Sequence, residues 1–292
     1  MTEIIGMLNA WCAKDFILPA LEQAVEYCDE VMVCCAPHSK LMETFDDGTA
    51  TIARIFAMEH EKVKMIEVGP MSHHAIAKAN ILNTMIAKSR LAEPGNWIWV
   101  LDADEFYPHR TYKYIKEMTK EDSPYDRIDF EEWYFYINMS WCLGGEHLRM
   151  FKIKNYTDIF QPTQRWIYAN NPFKCDRYSL PMFHYGMLTN PWAKMEFWST
   201  EYPGKDQTNK IRWLDEIYRN YDLSDQEVWV EENRKLCGVY SPWFSDSFQP
   251  SMDGTLYHYD EQSFGPHPKF IGEDLILTKD FREKYHFYPD HS

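Results

Sequence analysis

The sequence predicts an α/β fold built on a mainly parallel, mixed sheet flanked by helices. Three observations predict it. Short apolar runs alternate with segments of helical period through residues 4–101, which is the rhythm of βαβ units. The runs are apolar at nearly every residue rather than every second one, the mark of strands covered on both faces. They also hand over at turn residues or polar side chains, at Asn9, Pro37, Gly69-Pro70 and Asp102.

The elements follow in order. Residues 4–8 form a buried strand that ends at Asn9, and 16–27 carry Leu18, Leu21, Ala24 and Val25 at helical spacing. Residues 30–35 form a second strand. Asp46-Asp47-Gly48-Thr49 is a turn, with Asp47 placed to cap a helix over 50–60. A third strand over 62–68 precedes a long helix over 72–91, the turn 93–96, and a wholly apolar fourth strand over 97–101. From 111 onward the pattern changes to a helix over 112–118, an aromatic-rich strand over 127–138 and another strand over 147–153. Beyond 170 the chain is rich in Trp, Tyr, Pro and Asn, with one helix near 209–221. The organisation is thus a core over 1–170 and an aromatic-rich C-terminal extension over 171–292.

Composition narrows the function classes. Hydrophobic residues make up 45% of the 292, enough for a sizeable core without disulfides. The net charge of −15 repels nucleic-acid phosphate and anionic lipid over the surface as a whole, so it argues against a nucleic-acid partner. Seven scattered cysteines, none in a CxxC pair, fit reduced thiols rather than a zinc ribbon. No apolar run is long enough to span a bilayer, and the N-terminus lacks a basic segment before an apolar stretch. A cytoplasmic location is the expectation. Aromatics reach 16%, most of them core by weight of burial, with some available as platforms for sugar rings.

The strongest chemical signal is the fourth strand with its sequel, Trp97-Ile98-Trp99-Val100-Leu101-Asp102-Ala103-Asp104-Glu105-Phe106. Ligands of parallel α/β sheets bind at the carboxyl ends of the strands. Three acids delivered there repel one another unless something positive joins them. A divalent cation, Mn2+ or Mg2+, takes carboxylate oxygens and bridges phosphate oxygens. Strand alternation sends Asp102 and Asp104 to one face. The plainer account is a solvated acidic turn, which the five apolar residues ahead of it argue against. Downstream, Asp129, Glu131 and Glu132 offer a carboxylate for general-base work; alternation separates Glu131 from Glu132 but does not say which face is inward.

Asp102-Ala103-Asp104-Glu105-Phe106 after an apolar strand resembles the DxD motif of GT-A fold glycosyltransferases, in particular family-2-like enzymes. Residues 4–9 and 29–33 resemble the family's first two strands, and Asp47-Gly48-Thr49 its DGT turn. Leu148-Arg149-Met150-Phe151-Lys152 is similar to a returning R-x-F-K strand, and Phe183-His184-Tyr185-Gly186 to a segment that supplies a metal-binding His. The resemblance covers roughly residues 3–190 and implies a GT-A, Rossmann-like core with an acceptor-side extension. It implies a UDP- or GDP-linked sugar donor, a glycan or other hydroxyl acceptor, and a metal-held diphosphate. Asp104 would bind the metal directly, and Asp102 the ribose or the metal through water. His184 would be the third ligand, with His258 competing. Asn9, Asp47, Lys78, Asn80 and Asp102 would contact the donor, and Glu131 or Glu132 would be the base of an inverting reaction. Two departures stand out: Cys34-Cys35-Ala36 replaces the usual base-reading Asp, and Ala79 replaces the Arg before Asn80, although Lys78 is adjacent.

Two rivals remain. A haloacid-dehalogenase-like phosphatase would use Asp102 as nucleophile, but Phe106 stands where that motif wants Thr or Val. A non-enzymatic carbohydrate-binding module would explain the aromatics but not the acids.

Overall fold

The computed structural model describes residues 2–37, 46–68, 74–135, 138–154, 175–186, 188, 257–279 and 281. Four parallel strands form its first half: β1 (Ile4–Asn9), β2 (Glu30–Cys34), β3 (Val63–Met65) and β4 (Trp97–Asp102), in the order β3-β2-β1-β4. Because these strands are apolar throughout, alternate residues feed two separate cores. Ile4, Leu8, Trp97, Trp99 and Leu101 pack toward α1 (Lys14–Tyr27) and α2 (Thr49–Glu59). Ile5, Met7, Ile98 and Val100 pack toward Ala79, Ile81, Leu82 and Met85 of α3 (His74–Lys88). Period two in the strands and period 3.6 in the helices thus meet on both faces.

The helix starts near the strand ends are fixed by Asp47. Gly48 takes a left-handed φ of 89°, which only glycine adopts without strain. The turn lets Asp47 Oδ1 accept the Thr49 backbone N–H at 3.0 Å while Oδ2 accepts that of Lys14 at 2.9 Å. Thr49 Oγ1 accepts the Ala13 N–H at 2.8 Å. One aspartate therefore ties the first residues of α1 and α2 together.

Beyond β4 the sheet is mixed. It continues β4-β7-β6-β8-β5, with β5 (Glu105–Phe106), β6 (Arg127–Phe135), β7 (Trp141–Lys152) and β8 (Cys175–His184); β9 (Tyr257–His258) adds to β7, making nine strands. The β6/β8 pair is parallel, whereas β4/β7, β6/β7, β5/β8 and β7/β9 are antiparallel. The expected parallel character therefore holds for the first four strands and not for the sheet as a whole. The strand at β8 and the short β5 were not expected, and β3 is shorter than its sequence suggests.

The connectivity forces the sheet to curl. A flat sheet would put β5 four strand spacings, about 19 Å, from β4. Only Ala103 and Asp104 join the two strands, and that chain reaches at most about 11 Å between Asp102 and Glu105. The far edge must return to β4, and the space enclosed is filled by aromatics. Trp99, Tyr107 and Phe130 pack together, with ring centroids of Trp99–Tyr107 at 4.7 Å and Tyr107–Phe130 at 5.0 Å. Phe135, Phe183, Tyr185 and Tyr259 form a second group around His267. Much of the aromatic content is thus packing.

Two short helices follow β9, α5 (Glu261–Phe264) and α6 (Glu273–Ile276), and α4 (His109–Met118) precedes β6. Among the described residues, no helix is long and apolar enough to cross a membrane. The expected helix near 209–221, the tryptophans at 192, 198, 213, 229 and 243, and most of the extension lie outside the described residues.

Candidate functional site

The acids of the DxD segment sit where the first half of the sheet ends and the curl closes. Parallel register sets Asn9 of β1 beside Asp102 of β4. The strand stops at Asp102, so the alternation expected to send Asp102 and Asp104 to one face does not continue; Ala103 and Asp104 form the turn into β5. As a result the acids part company: Asp102 and Glu105 share one guanidinium, whereas Asp104 faces a histidine.

Asp102 faces two cations. Lys78 Nζ, reaching across from α3, lies 2.9 Å from Oδ1 and 3.2 Å from Oδ2. Arg149 Nη2, from β7, lies 3.1 Å from Oδ2. Burial pushes the Asp102 carboxyl up, but Lys78 and Arg149 outweigh it and hold the group well below the usual carboxylate range. Glu105 is fully buried and is held by the same guanidinium: Arg149 Nε donates to Oε2 at 2.7 Å and Nη2 donates to Oε1. This fork-to-fork geometry is the strong form of a carboxylate pair. Burial alone would lower the Arg149 pKa; the facing Glu105 and Asp102 raise it instead.

Asp104 faces His184. β5 pairs with β8 so that Glu105 lies opposite His184, and the Tyr185 N–H donates to the Asp104 carbonyl at 2.7 Å. His184 Nε2 is 3.5 Å from Asp104 Oδ1, and its Nδ1 pairs directly with Glu132 Oε1 of β6. Asp104, Glu132 and His184 are each 8% exposed, so the three form a buried row. Burial would lower the His184 pKa; the two flanking carboxylates override it and raise it to about 9. The Tyr134 ring stands edge-on to the imidazole at 4.2 Å and 85°.

The chain therefore brings together Asn9, Lys78, Asp102, Asp104, His184 and Glu132. It separates the two acids left open on β6: Glu132 is buried and meets the His184 imidazole, beside Tyr134, whereas Glu131 is half-buried. Asp129 is bound by Arg127, with Nε–Oδ1 and Nη2–Oδ2 both at 2.7 Å. Asn80 is exposed, and two residues of helix turn it about 200° away from Lys78. Both carboxylate oxygens of Asp47 hold helix starts. His258 is exposed on β9, outside the buried row.

Two residues were not assigned a role from sequence. Arg149 lay in a quoted motif, yet its partners are set by the curl. Gln23 sits on the apolar stripe of α1 with Phe16, Ala20 and Tyr27, and a lone amide on such a stripe is a readable signal. It is 1% exposed, donates from Nε2 to the Glu105 carbonyl at 3.2 Å and accepts the Tyr107 N–H at 2.7 Å. Its amide thus acts as a strand partner for β5. Among the described residues, burial pushes the Cys34 thiol up to about 11 and that of Cys142 up to about 12, which disfavours the thiolate at both.

No protein-family model matches the chain, and no curated protein does. Solved structures are similar at low levels. Mannose-6-phosphate isomerase from Helicobacter pylori is 12% identical with a TM-score of 0.31; the match covers 48% of this chain and 54% of that one, so the chain spans about half its length. A protein from Desulfovibrio desulfuricans, provisionally named a nucleotide-diphospho-sugar transferase, is 11% identical with a TM-score of 0.37, over 76% and 100% of the two chains. Mannose-1-phosphate geranyltransferase from Thermus thermophilus is 10% identical with a TM-score of 0.29, over 79% and 68%. Overlaps this loose place no ligand, and the chemistry rests on the site's own residues.

Proposed function

We propose that the chain is a metal-dependent glycosyltransferase that moves a sugar from a UDP- or GDP-linked donor to a hydroxyl acceptor such as a glycan. The observation that carries this reading is the Asp104–His184 pair at the carboxyl end of the parallel strands. Among the described residues, no group of three His, Cys, Asp or Glu is placed to hold a metal ion by itself. The pair fits a cation completed by substrate. Two ligands about 2.1 Å from one cation, on neighbouring octahedral vertices, are about 3.0 Å apart. Asp104 Oδ1 and His184 Nε2 stand 3.5 Å apart, close to that span. Mg2+-type ions are commonly held by one or two protein groups plus substrate phosphates.

Charge supports the same reading. Asp102, Asp104, Glu105 and Glu132 meet Lys78, Arg149 and a protonated His184, which leaves one negative charge within this set. A divalent cation in place of the imidazole proton brings the set to neutrality. Bound there, Mn2+ or Mg2+ would offset the charge that develops on a departing nucleoside diphosphate.

The chain's own residues divide the remaining work. Asp104 and His184 hold the cation. Asp102, already neutralised by Lys78 and Arg149, offers acceptor oxygens to a ribose hydroxyl. Lys78 keeps a quarter of its side chain exposed and can meet a diphosphate oxygen from the α3 side. Asn9 lies beside Asp102 at the strand ends.

Calorimetry with UDP and with GDP, each with and without Mn2+, tests the reading, followed by a screen of nucleotide sugars for metal-dependent turnover. Metal-dependent nucleotide binding that Asp104→Ala abolishes is expected. Sugar binding that needs neither nucleotide nor metal would make the chain a carbohydrate-binding module instead.

A further inference from the structure

We infer that Glu132 is a positioning residue: its carboxylate takes the Nδ1–H of His184 and aims the opposite ring nitrogen at Asp104, rather than taking a proton from the acceptor. The inference rests on the metal-site reading and assigns a role within it.

Five features of the buried row lead there. An ionised carboxylate only accepts, so the Glu132 Oε1 contact fixes a hydrogen on Nδ1 and reserves Nε2 for another partner. That nitrogen is the one 3.5 Å from Asp104 Oδ1. The ring cannot turn freely, because Tyr134 stands edge-on at 4.2 Å. The backbone cannot slide either: β6/β8 register sets Tyr134 opposite His184, β5/β8 register sets Glu105 opposite it, and the Tyr185 N–H holds the Asp104 carbonyl. A general base must come within about 3 Å of the hydroxyl that it deprotonates. Glu132 is 8% exposed and lies behind the imidazole, with the ring between it and Asp104. Carboxylates in this position orient metal-binding histidines and raise their basicity, and losing one costs about 10–100-fold in metal affinity.

The experiment measures Mn2+ binding to the full chain without nucleotide, for wild type, Glu132→Gln, Glu132→Ala and Asp104→Ala. The electron-spin echo of bound Mn2+ serves as a second readout, since a coordinated imidazole nitrogen modulates it. Glu132→Gln keeps an acceptor oxygen and is expected to bind within about threefold of wild type with the nitrogen modulation intact. Glu132→Ala is expected to lose tenfold or more, and the modulation with it. If Glu132→Ala does not fold, Glu132→Asp replaces it, because withdrawing the carboxylate by one methylene breaks the same contact. Wild-type affinity and modulation in Glu132→Ala or Glu132→Asp would overturn the inference alone. A wild-type chain that binds Mn2+ no better than Asp104→Ala would instead remove the metal reading, and the inference with it.

Discussion

Replacing Arg149 by methionine tests the electrostatic design of the site most directly. Arg149 is 6% exposed, and its guanidinium makes two bonds to Glu105, which is 0% exposed, and one to Asp102. Methionine keeps the apolar stem and removes the charge. Asp102 retains Lys78, but Glu105 keeps no cation in this set. Removing one partner of a buried ion pair costs about 3–5 kcal/mol, because the surviving charge stays desolvated. With an unfolding entropy near 2.1 cal/mol/K per residue, the 292 residues give about 0.6 kcal/mol/K, so Tm should fall by about 5–8 °C. Urea and thermal unfolding of Arg149→Met and of Arg149→Met/Glu105→Leu form the assay. The double variant removes both charges and should recover most of the loss, since a well-packed apolar pair often matches a buried ion pair. A single variant within 1 kcal/mol of wild type, or a double variant less stable than the single, would refute the reasoning.

Lys78→Met should behave differently. Both partners of its pair with Asp102 keep about a quarter of their side chains in solvent, so stability should change by about 1 kcal/mol or less while nucleotide affinity in the presence of Mn2+ falls. His267 makes acid stability titrate. Its Nε2–H donates to the Met139 carbonyl at 3.2 Å, so Nδ1 accepts the Tyr185 hydroxyl at 2.7 Å. Burial pushes the pKa down from 6.5 to about 4. The unfolded chain therefore takes up a proton first as pH falls, and stability present above 6.5 is lost toward 4, by up to about 3 kcal/mol. Urea unfolding of wild type against His267→Phe between pH 7 and 4 checks this, with the variant expected to lack that part of the slope. Gln23→Met should leave the Tyr107 amide open to hydrogen exchange while the amides of β1 stay protected, since its side chain is the acceptor for that N–H.

The first half of the fold was readable because both-face burial leaves a blunt mark: β1, β2 and β4 are apolar at nearly every position, and a run such as Trp97 to Leu101 admits few other accounts. The acids stood out for the same reason, since three charges after such a run need compensation. What was not readable depends on distant pairing. β8 lies far along the chain from β4, contains Pro181 and carries no clean alternation. Without it, residue patterns do not say that His184 meets Asp104, which the family resemblance alone implied, or that Arg149 serves Asp102 and Glu105 together. Alternation on β6 could separate Glu131 from Glu132 but could not choose the inward face, because that choice belongs to the curl. Asp47 shows the converse: a local turn signal predicted its capping role, and both its oxygens are occupied by that work.

The curl also bears on how much open ladder the described sheet presents to another chain. A strand ladder tempts a neighbour wherever it stops with its amides and carbonyls unmatched. Bringing β5 back to the middle leaves β3 as the terminal strand on the parallel side of the described sheet. It is three residues long and places Lys64 at its centre. Brevity and a charge are what natural sheets use to blunt such a border, so the closure that gathers the acids also leaves little ladder for an intruding chain to extend.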